Sequence, residues 1–220
     1  MICIDRVHSD ETEALLNLYA DLFLDREPLT KHLSLSRERM IFMARAMYLA
    51  SKKNPISQGL CWIAKDRAEA NKFVGFIVCD DPAREGNQQV PDNLTDEETE
   101  KISAMMVLLE EVRKPREEWI SSGSGKCLHI AALGVAPKYE GSGIATSLLQ
   151  TALADAISRG FMHSFSECTS MASRKCHEKA GFKNLLCISL KEFAVNGMYP
   201  FSGSNMDIYL LWKDLAKRAC

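Results

Sequence analysis

An α/β fold, in which helices flank a mixed central β-sheet, is the fold class that the sequence predicts. Short apolar runs of strand character alternate with longer segments whose apolar residues recur at helical spacing, a pattern typical of such folds. The chain has 220 residues and no visible internal boundary, so we expect a single domain over residues 1–220. The predicted strands are Cys3–Val7, Leu60–Ala64, Lys72–Cys79, Cys127–Val135, Met162–Ser166, Lys183–Leu190 and Asp207–Lys213.

Helices are predicted between these strands. The first carries an apolar stripe, and we expect Pro28 to end it because the residue before a proline is pushed out of the helical region. The third begins with a capping box formed by Thr95 and Glu98. The predicted helices are one that begins after Ser9–Glu11, one from about Ser36 to Asn54, one that begins near Thr95, and Gly143–Arg159 and Ser170–Lys179. Asp80–Asn93 and Ser121–Gly125 are predicted loops.

The charge balance argues against several classes of protein. Lysine and arginine number 27 and aspartate and glutamate 29, for a net charge of −2, so nothing indicates a nucleic acid or an anionic membrane as partner. No window holds the roughly 20 apolar residues of a membrane span. The segment Met1–Arg6 lacks a basic stretch followed by an apolar run, so it does not resemble a secretory signal and we expect a cytoplasmic protein.

The eight cysteines indicate a reduced protein without a metal site. No Cys-x-x-Cys occurs, and Cys168, Cys176 and His177 lack the paired spacing of a zinc site, so no metal ligand is predicted. Five further cysteines lie in short apolar runs, where a free thiol packs as a small hydrophobe; these are Cys3, Cys61, Cys79, Cys127 and Cys187.

The most informative motif is the glycine turn after the predicted strand that ends at Val135. Gly141 and Gly143 stand just before a predicted helix, whose first amides have no internal partner and carry partial positive charge. Such a turn is suited to a pyrophosphate, since glycine lets the phosphate approach the amides. A P-loop is excluded because no Gly-Lys-Ser/Thr follows, and Thr146 stands where a dinucleotide fingerprint needs glycine.

This segment resembles the acetyl-CoA signature of the GNAT acetyltransferases, Gln/Arg-x-x-Gly-x-Gly/Ala, preceded by Val-x-Pro. The resemblance implies the GNAT fold, acetyl-CoA as co-substrate, main-chain contacts from the strand end to the pantetheine arm, and loop amides around the pyrophosphate. Glu140 departs from the signature, where the family has Gln or Arg. The implied cofactor residues are Leu133, Gly134, Val135, Glu140, Gly141, Ser142, Gly143, Ile144 and Ala145.

A second motif agrees with the first. Glu178–Phe182 resembles the Glu-Lys-x-Gly-Phe ending of the helix that packs beside CoA in this superfamily. His177 stands where these enzymes usually have the tyrosine that protonates the departing thiolate. On the same helix, Lys175 is a candidate for the CoA phosphates, although basic helix residues are usually only solvated. The resemblance covers Leu128–Phe182.

Near the N-terminus, Phe23–Thr30 resembles the Phe-x-x-x-Asp-Glu-Pro-Leu-Asn segment of insect-type arylalkylamine N-acetyltransferases. In those enzymes the glutamate before the proline is the proposed general base, and it maps onto Glu27. Arg26 stands where they usually have Asp. Their Cys-Ser-Ser-x-x-Ser stretch is also matched here, and it implies active-site hydroxyls at Thr169 and Ser173.

The chemistry requires such groups. An alkylamine is protonated at neutral pH, so a desolvated carboxylate such as Glu27 must accept a proton, directly or through water. A strand-end amide near Val135 can stabilise the oxyanion. Ser173 and His177, four residues apart, can each donate to the thiolate, and the arylalkylamine resemblance favours Ser173. The structural alternatives are a solvated Glu27 at a helix end and a Ser173 on a helix surface.

The leading hypothesis is therefore transfer of acetyl to a small arylalkylamine. One rival keeps the fold but has a polyamine or another aliphatic amine as substrate, in line with the acidic stretches Asp96–Glu100 and Glu110–Glu118. A second rival is a non-catalytic domain that binds acyl-CoA, which the departures at Glu140 and His177 would suit. The sequence gives no oligomeric state.

Overall fold

The computed structural model describes residues 1–24, 26–48, 54–83, 94–121 and 125–215. Within them, seven strands form one sheet in the order β1-β2-β3-β4-β5-β7-β6, with β4 and β5 parallel and the other neighbours antiparallel. The predicted fold class is confirmed. The strands are β1 (Ile2–Arg6), β2 (Cys61–Asp66), β3 (Lys72–Asp80), β4 (Lys126–Val135), β5 (Phe161–Cys168), β6 (Lys183–Ser189) and β7 (Asp207–Asp214).

Six α-helices in the described residues cover the two faces of this sheet. They are α1 (Thr12–Phe23), α2 (Pro28–Leu33), α3 (Arg37–Tyr48), α4 (Asp96–Ser121), α5 (Ile144–Ser158) and α6 (Met171–Lys179). On one face, Leu148 and Leu149 of α5 pack against Leu128 and Ile130 of β4. Helices α1 to α4 pack on the other face. None of the helices described here has the length and apolarity needed to cross a membrane.

The role predicted for Pro28 is wrong. Helix α1 ends at Phe23, and Pro28 instead begins the short helix α2, which the sequence analysis missed. Proline suits the first helical position because its fixed φ is already helical and its missing amide has no partner to lose there. The carboxylate of Glu27 caps this helix by accepting a hydrogen bond from the Thr30 amide at 2.6 Å.

Helix α4 begins as predicted. The Glu98 amide donates to the Thr95 hydroxyl at 3.2 Å, and the Thr95 amide donates to the Glu98 carboxylate at 2.9 Å, which together form the capping box. Arg39 of α3 makes a two-point contact with the same carboxylate at 2.9 Å. The predicted second helix and the two predicted loops extend into residues 49–53, 84–93 and 122–124, which lie outside the described residues.

The described cysteines all carry free thiols. Four of them are buried, namely Cys61, Cys79, Cys127 and Cys168. For the first three, the apolar sequence context predicted this. The prediction is wrong for Cys187, which is exposed on β6, a strand at the edge of the sheet. Burial raises the pKa of the Cys61 thiol to about 12, so this group packs as an apolar side chain.

The feature that positions the site is the parting of β4 from β5. The two strands are paired from Lys126 to His129, and beyond His129 only β3 continues to pair with β4. The β3–β4 register skips Ala131, which marks a bulge in β4 at the point of parting. Because a bulge bends its strand and increases the local twist, it turns the end of β4 away from β5 and opens a cleft between them.

A cluster of buried charges lies where the strands part. The imidazole of His129 on β4 lies 3.1 Å from the Asp80 carboxylate on β3 and 2.8 Å from the Glu167 carboxylate on β5. The guanidinium of Arg113 on α4 also contacts Glu167, at 2.5 Å. The side chains of His129 and Glu167 are 10 % and 7 % exposed. The ring of His129 stacks on Phe165 at 4.6 Å between centroids.

His129 and Glu167 are both ionised at neutral pH. Burial alone would lower the pKa of His129, but the negative charges of Glu167 and Asp80 outweigh it and raise the pKa to about 9. For Glu167 burial would raise the pKa, yet the charges of His129 and Arg113 hold it well below its usual range. Three strands and α4 are thus joined by ion pairs that water reaches poorly.

The pKa of His129 sets a pH dependence of stability. The pKa is raised from 6.5 in an unfolded chain to about 9 in the fold. The stabilisation that protonated His129 gives to the fold is therefore complete below pH 6.5 and is lost as the pH rises through 9. We expect the free energy of unfolding to fall by about 3 kcal/mol over this window. Urea unfolding at half-unit intervals measures it. The buried thiols have a pKa of about 8.5 in an unfolded chain and a higher one in the fold, so they add a loss of the same sign above about pH 8, and the slope between pH 6.5 and pH 8 reports His129.

The variant His129→Gln should remove this slope and destabilise the protein by about 3 kcal/mol at pH 6.5, since it removes the cation that Asp80 and Glu167 share and leaves Glu167 with Arg113 alone. His163→Gln is the matched control, because that imidazole pairs at 2.8 Å with a carboxylate that is 61 % exposed. A slope that persists in His129→Gln would assign the pH dependence to another group.

Candidate active site

Two of the predicted catalytic residues meet at the end of β5. The Thr169 hydroxyl, directly after β5, donates to the Glu27 carboxylate at 2.6 Å. The second oxygen of Glu27 accepts from the Thr30 amide at 2.6 Å, at the N-terminus of α2. These donors fix the carboxylate in one orientation. Residues 142 positions apart in sequence therefore form one polar group beside the cleft.

The third predicted catalytic residue, Ser173, lies on the other side of β5. Its hydroxyl is 3.3 Å from the thiol of Cys168, which packs in the core beneath α5. The hydroxyl of Ser170 caps α6 by accepting from the Ser173 amide at 3.1 Å. Glu27 and Ser173 thus flank the end of β5, one from the side of α2 and one from α6.

His177 is buried and fixed in one tautomer. Its Nδ1 lies 2.9 Å from the Ser173 carbonyl oxygen, which can only accept, so Nδ1 carries the proton and Nε2 does not. Burial lowers the pKa of this imidazole, which keeps it neutral. Its Nε2 is buried without a hydrogen-bond partner among the described residues. A neutral ring of this tautomer has no proton on Nε2 to donate.

The end of β4 presents main-chain groups to the cleft. The Ala136 amide donates to Val74 at 2.8 Å, and Val135 is the register partner of Gly75. In an antiparallel ladder this makes Val135 and Gly75 a non-hydrogen-bonded pair, so the amide and carbonyl of Val135 point away from β3. The same holds two residues earlier for Leu133. Gly134, which we also predicted to bind the cofactor, directs its main chain towards β3, and its role stays a prediction.

The glycine turn has the shape required for an anion. Gly141 and Gly143 have φ of +73° and +85°, values that residues other than glycine rarely adopt. A β-carbon at either position would lie in open space. The Glu140 amide donates to the Pro137 carbonyl at 3.2 Å. Within the described part of the chain, the amides from Gly141 to Thr146 have no backbone acceptor. These amides, at the N-terminus of α5, fit a pyrophosphate.

The carboxylate of Glu140 in this turn has a partner that the sequence analysis missed. It forms an ion pair with the guanidinium of Arg26, whose other terminal nitrogen is 3.5 Å from the Val135 carbonyl oxygen. Both residues depart from the patterns that their segments resemble, and their charges are opposite. That complementarity was the available signal, but nothing in the sequence places positions 26 and 140 together.

The basic residues of α6 differ in how they are engaged. Arg174 pairs with Glu178 at 2.7 Å and stacks on the ring of Tyr209 at 4.2 Å. Lys175 and Lys179 are exposed. Lys175, the predicted contact for a CoA phosphate, is thus accessible to solvent, and its role stays a prediction.

The comparison of the chain with protein families decides its membership. Residues 20–182 match the model of the acetyltransferase (GNAT) family. The protein is a GNAT acetyltransferase. Enzymes of this family take their acetyl group from acetyl-CoA, and the turn described above has the open space and free amides that its pyrophosphate needs. Comparison with curated protein sequences finds no match.

Solved structures agree on the fold at low sequence identity. Arylalkylamine N-acetyltransferase 2 from Aedes aegypti is 15 % identical with a TM-score of 0.76, covering 98 % of this chain and 99 % of that one. A polyamine N-acetyltransferase from Drosophila melanogaster that forms N-acetylagmatine is 17 % identical with a TM-score of 0.73, covering 97 % and 100 %. The C-terminal condensation domain of Ebony is 15 % identical with a TM-score of 0.76, covering 97 % and 99 %.

Replacing Gly143 with valine should weaken acetyl-CoA binding by about tenfold or more, because the side chain strains a positive φ and stands over the amides. Isothermal titration with acetyl-CoA measures the effect. Gly160→Val is a matched control, since Gly160 also has a positive φ (+78°) facing open space, at the other end of α5. Equal affinity in the two variants would place the pyrophosphate elsewhere.

Replacing Glu27 with glutamine should lower kcat by about 10²- to 10⁴-fold, since the amide oxygen keeps the cap on α2 but cannot accept the proton. Acetyl-CoA affinity should be preserved. Glu11→Gln is the control, because Glu11 also caps a turn by accepting from a backbone amide, His8, at 3.0 Å. Activity of Glu27→Gln equal to that of the parent from pH 6 to pH 9 would remove this residue from the mechanism.

Proposed function

We propose that this N-acetyltransferase transfers acetyl from acetyl-CoA directly to a small primary amine, an arylalkylamine. The observation that carries the proposal is the hydrogen bond between Glu27 and Thr169 directly after the end of β5. The oriented carboxylate supports a role as base, and the neighbouring residue Arg26 reaches the Val135 carbonyl oxygen at 3.5 Å. The resemblance of the flanking segments to arylalkylamine enzymes supports the choice of amine.

In the proposed reaction, acetyl-CoA supplies an activated thioester, and the chain supplies a base, an oxyanion donor and an acid. Glu27 accepts a proton from the ammonium form of the amine through the oxygen that Thr169 contacts. The Val135 amide, which points into the cleft, donates to the oxyanion as the nitrogen attacks the carbonyl carbon. Ser173 donates the proton that the departing thiolate takes up. As the amide forms, the second proton of the attacking nitrogen passes through solvent to the Ser173 oxygen, and Glu27 releases its proton to solvent. Since the amine attacks directly, the buried Cys168 forms no acyl intermediate.

The polyamine alternative rests on the acidic start of α4. There Glu98 is paired with Arg39 and Glu97 with Lys101 at 2.7 Å, so two of its carboxylates are already neutralised. The non-catalytic alternative rests in part on Glu140. Because that residue has Arg26 as its partner, its presence in the cofactor turn does not imply a degenerate site.

A panel of arylalkyl-, alkyl- and polyamines distinguishes these functions, with free CoA followed by a thiol reagent. We expect kcat/KM at least about tenfold higher for arylalkylamines such as tryptamine or dopamine than for spermidine or agmatine. An enzyme blank corrects for the exposed Cys187 thiol. Faster turnover of the polyamines would overturn the substrate class, whereas acetyl-CoA binding without turnover of any amine would favour the non-catalytic alternative.

A further inference from the structure

Arg26 connects the two halves of the active site. It directly precedes Glu27, and its guanidinium reaches across to the Glu140 carboxylate and to within 3.5 Å of the Val135 carbonyl oxygen. One side chain therefore contacts the turn proposed for the pyrophosphate and the strand end proposed for the pantetheine arm. Its neighbour in sequence is the proposed base.

Electrostatics explain why such a contact matters. Glu140 is the residue before the free amides, and a carboxylate there repels a pyrophosphate by Coulomb's law. Lys138, the nearest basic residue in sequence, pairs instead with Glu69. Arg26 is thus the cation that offsets the charge of Glu140. Since the side chains of Arg26 and Glu140 are 42 % and 51 % exposed, the pair adds little to the stability of the fold.

We propose that Arg26 is a cofactor-affinity residue that neutralises Glu140 and so allows an acidic turn to bind the pyrophosphate of acetyl-CoA. This rests on the proposed placement of the pyrophosphate at Gly141 to Ala145. Arg26 acts on the cofactor through Glu140 and is therefore a positioning residue. Its effect on acetyl-CoA affinity depends on the presence of the Glu140 carboxylate.

A double-mutant cycle read out by isothermal titration with acetyl-CoA tests this dependence. Arg26→Gln should weaken binding about fivefold or more when Glu140 is present. In the Glu140→Gln background the same change should alter affinity by less than about twofold. Glu140→Gln alone should bind acetyl-CoA as tightly as the parent or more tightly.

The pair Arg37–Asp21 provides a matched control. It is an arginine–carboxylate pair with exposures of 42 % and 54 % and a separation of 2.7 Å, between α3 and α1. Arg37→Gln and Asp21→Asn should leave acetyl-CoA affinity within about twofold of the parent. A charge exchange adds a second test: the variant Arg26→Glu should lose affinity, and Arg26→Glu combined with Glu140→Arg should regain most of it.

Two results would overturn the proposal. An equal loss on Arg26→Gln in both backgrounds would mean that Arg26 acts independently of Glu140, and no loss in the parent background would mean that it does not act on the cofactor. The variant Gly143→Val distinguishes these results from a wrong placement of the pyrophosphate. If Gly143→Val binds acetyl-CoA normally, the placement of the pyrophosphate is wrong. If it binds acetyl-CoA weakly while the Arg26–Glu140 cycle shows no coupling, only the role of Arg26 is wrong.

Discussion

The parting of β4 from β5 is the constraint on which the rest of the structure depends. A parallel pair normally buries its main-chain groups in the ladder between the strands. Here the pairing stops at His129, and the bulge at Ala131 turns the strand away. The half-buried edge beyond it presents main-chain groups of Leu133 and Val135 with which another molecule can form hydrogen bonds. A ligand with amides along its length can form them.

Two groups of ion pairs border this opening, and they differ in their burial. Beneath it, His129 joins Asp80 and Glu167 in a buried cluster that holds three strands together where the ladder ends. At its rim, Arg26 and Glu140 form an exposed pair that solvent screens. Breaking a buried ion pair strongly destabilises a protein, whereas breaking an exposed pair changes its stability little. An exposed pair can therefore rearrange when a ligand binds. The first arrangement suits a rigid frame and the second a binding site.

The fold class, most element positions and the glycine turn before α5 could be predicted from the sequence, because periodicity and glycine positions are local signals. Helix α2 was missed since six residues are too few to show a helical period, and Pro28 is compatible with either ending or beginning a helix. Which main-chain groups of β4 face away from β3 depends on the register of the two strands, which the sequence does not show. The Arg26–Glu140 contact depends on tertiary placement, as does the buried cluster, and neither leaves a trace in local spacing.

The open edge of β4 also bears on how far such proteins can diverge. Amides and carbonyls are the same in every residue except proline, so a surface made of them restricts side-chain identity only where a positive φ requires glycine. Structures with TM-scores of 0.76 and 0.73 share only 15 % and 17 % of residues with this chain. A fold whose central binding surface consists of main-chain groups can keep its shape while most of its residues are substituted. The few side chains that face the acetyl acceptor are then the positions where substitution reflects a change of substrate.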